Sequence, residues 1–252
     1  MKSRSAAVSL VLGVLVAGAG SAPAAGQRLG ENPANLQFFP SDIAPDSLVE
    51  TMRGFSFALG VRCQYCHTGG DGISFEGVAW ESDDDPDKRK ARFMLRMTET
   101  LNRSMLPMMA GRDEPPAEIT CKTCHRGRPR PALLTDIMRQ TLDGQGADSA
   151  AALYSRLRER VGMNGMYDFG EWEMNVLAER LAREGRPRDA ITIYRINQTS
   201  HPESISIALD LARLHEEVGD REEAIQAYER VLELDPGNDA ALARLEALRG
   251  RK

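Results

Sequence analysis

Cysteine and histidine are scarce in this chain, which has 252 residues and only 4 of each. No cysteine lies outside two short motifs, so none is left for the disulfide framework that many exported proteins use. Basic residues are not in excess either, because 32 Lys and Arg face 37 Asp and Glu, for a net charge of -5. Phosphate binding requires a basic surface, so this charge argues against a DNA or RNA partner.

Long apolar runs are missing beyond the first 25 residues. Lys2 and Arg4 form a short basic start, residues 8–16 are apolar, and residues 22–25 read Ala-Pro-Ala-Ala. This layout is typical of a secretory signal peptide with a small-residue cleavage site, so we expect residues 1–25 to be removed and the protein to be periplasmic. The alternative is an uncleaved N-terminal anchor, although the apolar run is short for a membrane-spanning helix.

The strongest chemical signal is Cys-x-x-Cys-His, which occurs at residues 63–67 and again at 121–125. In this motif both thiols form thioethers to a haem, and the histidine directly after them supplies an axial ligand to the iron. The sequence therefore predicts two covalent haem c groups. The residues expected to hold them are Cys63, Cys66 and His67 for one haem, and Cys121, Cys124 and His125 for the other.

Two alternatives use the same cysteines without haem. Two Cys-x-x-Cys pairs are able to supply four thiolates to a zinc ion, and each pair alone is able to form a redox-active disulfide. Neither chemistry needs a histidine directly after each pair, and here both pairs have one. Export also favours haem c, which is attached outside the cytoplasm.

A helix that carries methionine is predicted before each motif. Pro45 and Asp46 introduce the first helix, residues 47 and 50 have the spacing of a capping box, and Gly60 ends it. Asp85 and Pro86 start the second helix as N-cap and first-turn residue, and Pro107 ends it.

The apolar faces of these two helices supply the candidates for the sixth ligand of each iron. Met52 lies on the first face, and Met94 and Met97 lie one turn apart on the second. Methionine gives an electron-transferring iron, but on an apolar face it is more often a core residue. The remaining histidines, His201 and His215, lie far along the chain and are expected at the surface or in packing.

The C-terminal half of the chain has a different sequence pattern. A connector is expected at 129–146 and one helix at 147–161, and residues then recur at an offset of 34, the period of tetratricopeptide repeats. The recurring pairs are Gly185 and Gly219, Ala190 and Ala224, Tyr194 and Tyr228, and Pro202 and Pro236. A last helix is expected at 240–248.

The sequence thus predicts an all-α protein with a loop-rich dihaem cytochrome c domain and a short helical repeat domain. The expected boundaries are 26–134 for the haem domain, 135–165 for a linker with one helix, and 166–252 for the repeats.

Between about residues 35 and 131 the chain resembles the cytochrome subunit of bacterial photosynthetic reaction centres. The segments that carry the resemblance read Thr-Met-Arg-Gly-Phe-Ser at 51–56, Ala-Arg-Phe-Met-Leu-Arg-Met-Thr at 91–98 and Thr-Cys-His-Arg-Gly at 123–127. The resemblance implies Met52 and Met94 as axial ligands, with Met97 as the alternative to Met94. It also implies electron transfer and a membrane-bound reaction centre or related complex as partner.

The chain also departs from that family. The family subunit carries four haems, whereas this chain has motifs for two. The family's additional ligating histidine has no counterpart at 111–118, and no cysteine is available for a lipid anchor.

Three functions follow from these observations. The first is an electron carrier with two six-coordinate irons, paired as His67 with Met52 and His125 with Met94. The second is a dihaem peroxidase-like enzyme, which needs one open iron. The third is a scaffold whose repeats bind a redox protein partner while the haems are passengers or sensors.

Overall fold

The structure, a computed structural model, describes residues 33–109 and 117–250. The predicted signal peptide lies outside these residues. The chain is mostly helical, and its strands within the described residues are two short antiparallel segments, β1 and β2, so the predicted all-α class is confirmed. No helix in the described part is long and apolar enough to cross a membrane.

Residues 33–109 and 117–125, as the structure describes them, contain three helices and a short hairpin. In chain order the elements are α1 (Pro45–Leu59), a 3-10 turn (Cys63–Tyr65), β1 (Thr68–Gly69), β2 (Val78–Ala79), α2 (Pro86–Thr100), a π turn (Leu101–Met105), a 3-10 turn (Leu106–Met108) and α3 (Cys121–His125).

The predicted end of α1 and the predicted start of α2 are correct, whereas Pro107 does not end α2 as predicted. The left-handed backbone of Gly60 ends α1, and the Asp85 side chain caps α2 by accepting from the backbone N–H of Asp87 at 2.8 Å. The regular part of α2 ends at Thr100, and a π turn and a 3-10 turn continue it to Pro107 and beyond. The capping box at 47 and 50 is wrong, because α1 already begins at Pro45 and Ala44 caps it without a side-chain hydrogen bond.

Seven helices make up the described residues from Leu134 to Gly250. They are α4 (Leu134–Gln145), α5 (Ala147–Val161), α6 (Glu171–Arg183), α7 (Pro187–Gln198), α8 (Ile205–Glu217), α9 (Arg221–Leu234) and α10 (Asp239–Gly250). Each helix from α6 onwards packs against the next one along the chain, as in tetratricopeptide repeats.

The turns and tight contacts of the repeats agree with the offset of 34. Gly185 and Gly219 have φ of +77° and +81° in the turns after α6 and α8, a backbone that glycine adopts without strain. Ala190 and Ala224 are fully buried at the start of the second helix of each pair, where a small side chain lets the helices approach closely.

The segment from 135 to 165 differs from the expected linker with one helix. The predicted helix at 147–161 is present as α5, but the expected connector before it contains α4. Leu134, Met138 and Leu142 of α4 are buried in the same hydrophobic core as α6 and α7. This segment is therefore a folded part of the C-terminal core.

Candidate functional site

The first motif is a hydrogen-bonded turn that follows α1 closely. The backbone N–H groups of Cys66 and His67 both donate to the carbonyl of Cys63, at 3.2 and 3.1 Å. The thiols of Cys63 and Cys66 are free and half-buried. One short turn therefore presents both cysteines and the histidine together.

The hairpin after this motif covers His67. The β1–β2 pairing brings Trp80 back over it, with ring centroids 5.1 Å apart at an interplanar angle of 61°. Burial lowers the pKa of His67, and the ammonium of Lys88, which donates to the Trp80 carbonyl at 2.7 Å, lowers it further. Both effects favour the neutral imidazole, the form that binds a metal ion. The Nδ1 atom of His67 is buried and has no hydrogen-bond partner among the described residues.

The second motif forms the short helix α3. Thr120 and Thr123 make a reciprocal capping box at its start, with the Thr120 N–H donating to Thr123 Oγ1 at 3.0 Å. Arg126, with φ of +50°, ends the helix, so the chain turns sharply directly after His125.

This sharp turn places the carbonyl of Arg128 next to the ring of His125. The distance from His125 Nδ1 to Arg128 O is 2.8 Å. A carbonyl oxygen only accepts hydrogen bonds, so Nδ1 carries the proton and Nε2 keeps a free lone pair. A ligating histidine is typically oriented in this way, by a hydrogen bond from its other ring nitrogen.

The four cysteines do not form one shared metal site, and burial raises the pKa of two of the thiols. Burial, followed by the charges of Asp85 and Asp87, raises the pKa of Cys66 to about 11, and burial also raises the pKa of Cys121. Zinc sites and redox-active pairs favour the thiolate instead. Within residues 33–109 and 117–250, no three or more His, Cys, Asp and Glu side chains form a group suited to a metal ion, so the two pairs do not combine into one zinc site.

The methionine candidates lie on the helices predicted for them. Met52 is half-buried on α1, and Met94 and Met97 are 38% and 40% exposed on α2. Both α1 and α2 contact α3, which carries the second motif. The second motif is therefore in contact with both of the helices that carry candidate methionines.

A close backbone contact connects the end of α1 to the segment after the second motif. The Gly127 N–H donates to the Ala58 carbonyl at 2.8 Å. Gly60, with φ of +66°, lies so close that a Cβ atom there would be 2.2 Å from the carbonyl oxygen of Gly127. The sequence predicts Gly60 as a helix end, but nothing local in it indicates this second role.

Asn102 fixes the segment that leads into the second motif. Its side chain lies in the π turn, where Nδ2 donates to the Ile119 carbonyl at 2.7 Å and Oδ1 accepts from the Ile119 N–H at 2.8 Å. These two hydrogen bonds connect the end of the second helical segment to Ile119, close to the start of α3. Asn102 was not among the predicted site residues, because a polar residue near a helix end has many other uses.

The apolar surface around the motifs tests whether haem fits this part of the chain. Among the described residues before Leu134, three hydrophobic side chains are buried, namely Leu48, Ala58 and Val78, and α2 buries none. Large apolar side chains are exposed instead: Phe57, Tyr65, Phe75, Phe93, Met94, Met97, Met105, Met108 and Met109. A large apolar group bound to the motif cysteines would remove such side chains from water, so the residues present fit haem c.

A cavity of about 450 Å³ lies beside the second motif. Cys124, His125 and Arg128 line one side of it, and Tyr167 and Asp168 line the side formed by the C-terminal domain. The second motif therefore lies at the junction of the two parts of the chain.

Two family profiles match separate segments of the chain. Residues 63–153 match the family described as photosynthetic reaction centre cytochrome C subunit, and residues 181–248 match the tetratricopeptide repeat. The resemblances predicted from the residues are thereby confirmed over these segments. The first match points to a cytochrome-like electron-transfer role with covalently bound haem. It includes both motifs and Met94, whereas Met52 lies before it.

Several solved structures are similar to part of the chain, each with 18% identity and over 46% of its length. The first tetratricopeptide domain of Spaghetti (RPAP3), bound to an HSP90 peptide, and that of human RPAP3 are each covered to 87%, with a TM-score of 0.32. PcrH from Pseudomonas aeruginosa is covered to 89%, with a TM-score of 0.31. No curated protein matches the chain.

Proposed function

We propose that this protein transfers electrons through two covalent haem c groups, one on Cys63 and Cys66 and one on Cys121 and Cys124. The observation that carries the proposal is the orientation of His125, whose Nδ1 donates to Arg128 O at 2.8 Å and leaves Nε2 free for iron. The exposed apolar side chains around both motifs support the same conclusion.

The proposed axial ligands are His67 and His125 on one side of each iron, and Met52 and Met94 on the other, with Met97 as the alternative to Met94. All three methionines lie on helices whose apolar side chains are mostly not buried by other parts of the polypeptide. Haem c supplies a one-electron couple when bound. The protein's part is to orient the ligands, exclude water and hold the two motifs at a fixed spacing through the Gly60–Gly127 contact.

The proposed location is the periplasm. The proposed partners are redox proteins or a membrane-bound complex, such as a reaction centre, at the outer face of the inner membrane. The family match and the signal-peptide-like N-terminus support this location. The repeats are proposed to bind a protein partner, since tetratricopeptide arrays commonly do so.

The haem content is tested first by mass spectrometry of the mature protein expressed with a haem c attachment system. The wild type should carry two haems, and the double variants Cys63→Ala/Cys66→Ala and Cys121→Ala/Cys124→Ala should each carry one. Loss of both haems in either variant would signal a folding defect, so far-ultraviolet circular dichroism is recorded alongside. A wild type without haem refutes the proposal.

The axial ligands are tested by single leucine substitutions at Met52, Met94 and Met97. Met163→Leu is the control, because Met163 is fully exposed and lies outside both haem motifs and the helices before them. A true ligand variant should lose the methionine–iron charge-transfer absorption of one haem and gain carbon monoxide binding, whereas the control should not. A wild type that already has a high-spin, CO-binding haem and turns over hydrogen peroxide would instead favour the dihaem peroxidase.

A further inference from the structure

Arg128 makes three different interactions at the junction of the second motif and the C-terminal domain. Its carbonyl accepts from His125 Nδ1, and its guanidinium carbon lies 5.0 Å from the ring centroid of Tyr167. Its Nη1 atom is buried and has no hydrogen-bond partner among the described residues. Arg128 thus links the histidine of the second motif to the C-terminal domain.

A buried N–H group of a guanidinium is costly to leave without a partner, because arginine stays charged at all ordinary pH values. The cation–π contact with Tyr167 holds the group but does not neutralise its charge. The partner best suited to its planar fork of N–H donors is a carboxylate.

The charged groups that line the cavity do not supply this carboxylate. They are Arg126 and Arg128 from the motif side, Asp136 from α4, and Asp168 and Glu173 from the segment around the start of α6. Asp168 accepts from the Gly170 N–H at 2.7 Å, and Glu173 accepts from Thr135 Oγ1 at 3.5 Å. None of the three acids bonds to Arg128 Nη1.

Resting on the proposed function, we propose that Arg128 pairs with a propionate of the haem on Cys121 and Cys124, and that Tyr167 holds the guanidinium in place for this pairing. Every haem c carries two propionate carboxylates, and the cavity beside His125 is shared by Arg128 and Tyr167. Arg128 is then a positioning residue through which the C-terminal domain influences the potential of the second haem.

The pairing has a defined effect on the reduction potential. With Arg128 present, the propionate stays ionised and its charge is neutralised by the guanidinium. Without it, an ionised propionate stabilises the oxidised iron, which carries one more positive charge, so the potential falls. Protonation of the propionate at lower pH removes that negative charge, so the potential of the variant should rise again as the pH is lowered.

The test is a redox titration of both haems in the full-length holoprotein across a range of pH. The Arg128→Gln variant keeps the backbone carbonyl that orients His125. In this variant the reduction potential of one haem should fall by about 59 mV, which corresponds to a tenfold change in the one-electron equilibrium constant. This shift should appear at high pH and shrink at low pH. Arg128→Lys should keep most of the wild-type potential, and the exposed Arg130→Gln should change neither haem comparably.

The role of the C-terminal domain is tested by Tyr167→Phe, which keeps the ring, and Tyr167→Leu, which removes it. The first should match the wild type, and the second should shift the same haem in the same direction as Arg128→Gln. An unchanged potential in Tyr167→Leu would overturn the link to the C-terminal domain.

Three further results would separate the explanations. If the potential in Arg128→Gln equals that of the wild type and does not depend on pH, the propionate pairing is overturned. If two haems are still attached in that case, the proposed electron-transfer function remains intact. A wild-type potential that changes with acetate concentration at constant ionic strength shows that a free anion is the partner, which also overturns the pairing. Lack of haem on Cys121 and Cys124 in the wild type refutes the proposed function itself.

Discussion

Replacing Gly60 with alanine should destabilise the haem-binding part of the chain far more than an equivalent change elsewhere. Gly60 has φ of +66°, and a Cβ atom there would be 2.2 Å from Gly127 O. The left-handed backbone alone costs a non-glycine residue about 1–2 kcal/mol. Relief of the clash requires Gly127 to move, which breaks its 2.8 Å hydrogen bond to Ala58 O and adds about 1–2 kcal/mol. The expected total is about 3 kcal/mol.

The matched control is Gly185→Ala. Gly185 also ends a helix, with φ of +77°, but nothing lies within 4 Å of the Cβ position. Gly185→Ala should therefore lower the free energy of unfolding only by the cost of the left-handed backbone, about 1–2 kcal/mol. Asparagine tolerates the left-handed region, so Gly185→Asn should be nearly neutral, whereas Gly60→Asn should keep the cost of the clash.

The assay is urea unfolding of the haem-loaded protein, followed by Soret absorption for the haem part and by far-ultraviolet circular dichroism for all helices. Two transitions are expected if the two parts unfold separately, and each variant is then compared within its own transition. Equal losses of free energy of unfolding in Gly60→Ala and Gly185→Ala, or a neutral Gly60→Asn, would refute the close contact between the two motifs.

Three other changes test separate parts of the structure. Asn102→Ala should cost about 1–3 kcal/mol in the Soret transition, because it leaves both backbone groups of Ile119 unpaired, and Asn102→Asp should cost less since it still accepts from the Ile119 N–H. Arg92 holds the pKa of Asp83 well below its usual range. The wild type should therefore be more stable than Asp83→Asn above about pH 4, and this difference should shrink as the pH falls towards the folded-state pKa of Asp83. Denaturation midpoints measured across this pH range show the difference. Ala224→Leu overpacks a fully buried site and should lower the stability of the repeats by about 1–3 kcal/mol without changing the haem spectrum.

Local signals allowed much of the helix pattern to be predicted from the sequence. Asp85 caps α2 and Gly60 ends α1 because each acts through its own side chain or backbone. The offset of 34 located Gly185 and Gly219 correctly because a repeat presents the same local requirement twice. Ser47 was misread because Pro45 already satisfies the start of the helix, so no side-chain cap is needed.

Features that depend on distant partners could not be predicted in the same way. Asn102 bonds to Ile119 across the connection between α2 and α3, and Arg128 contacts Tyr167 across the junction with the C-terminal domain. Helix α4 is a different case, because Leu134, Met138 and Leu142 already repeat at helical spacing. The prolines before it and the glycines near its end made the segment resemble a connector.

The position of α4 decides how the role of the repeats can be examined. Met138 and Leu142 are buried against the helices that follow, and the family match that begins at the first haem motif continues to residue 153, through α4 and into α5. Cutting the chain after Gly165 would therefore expose the core-facing side of α4, directly beyond Leu133 and the second motif. Loss of haem after such a cut would report damage to α4 and would not separate partner binding from structural support. Charge-reversal substitutions at exposed positions of α6, such as Arg183→Glu, leave that core intact, so loss of partner binding with unchanged haem spectra would identify the repeats as a docking surface.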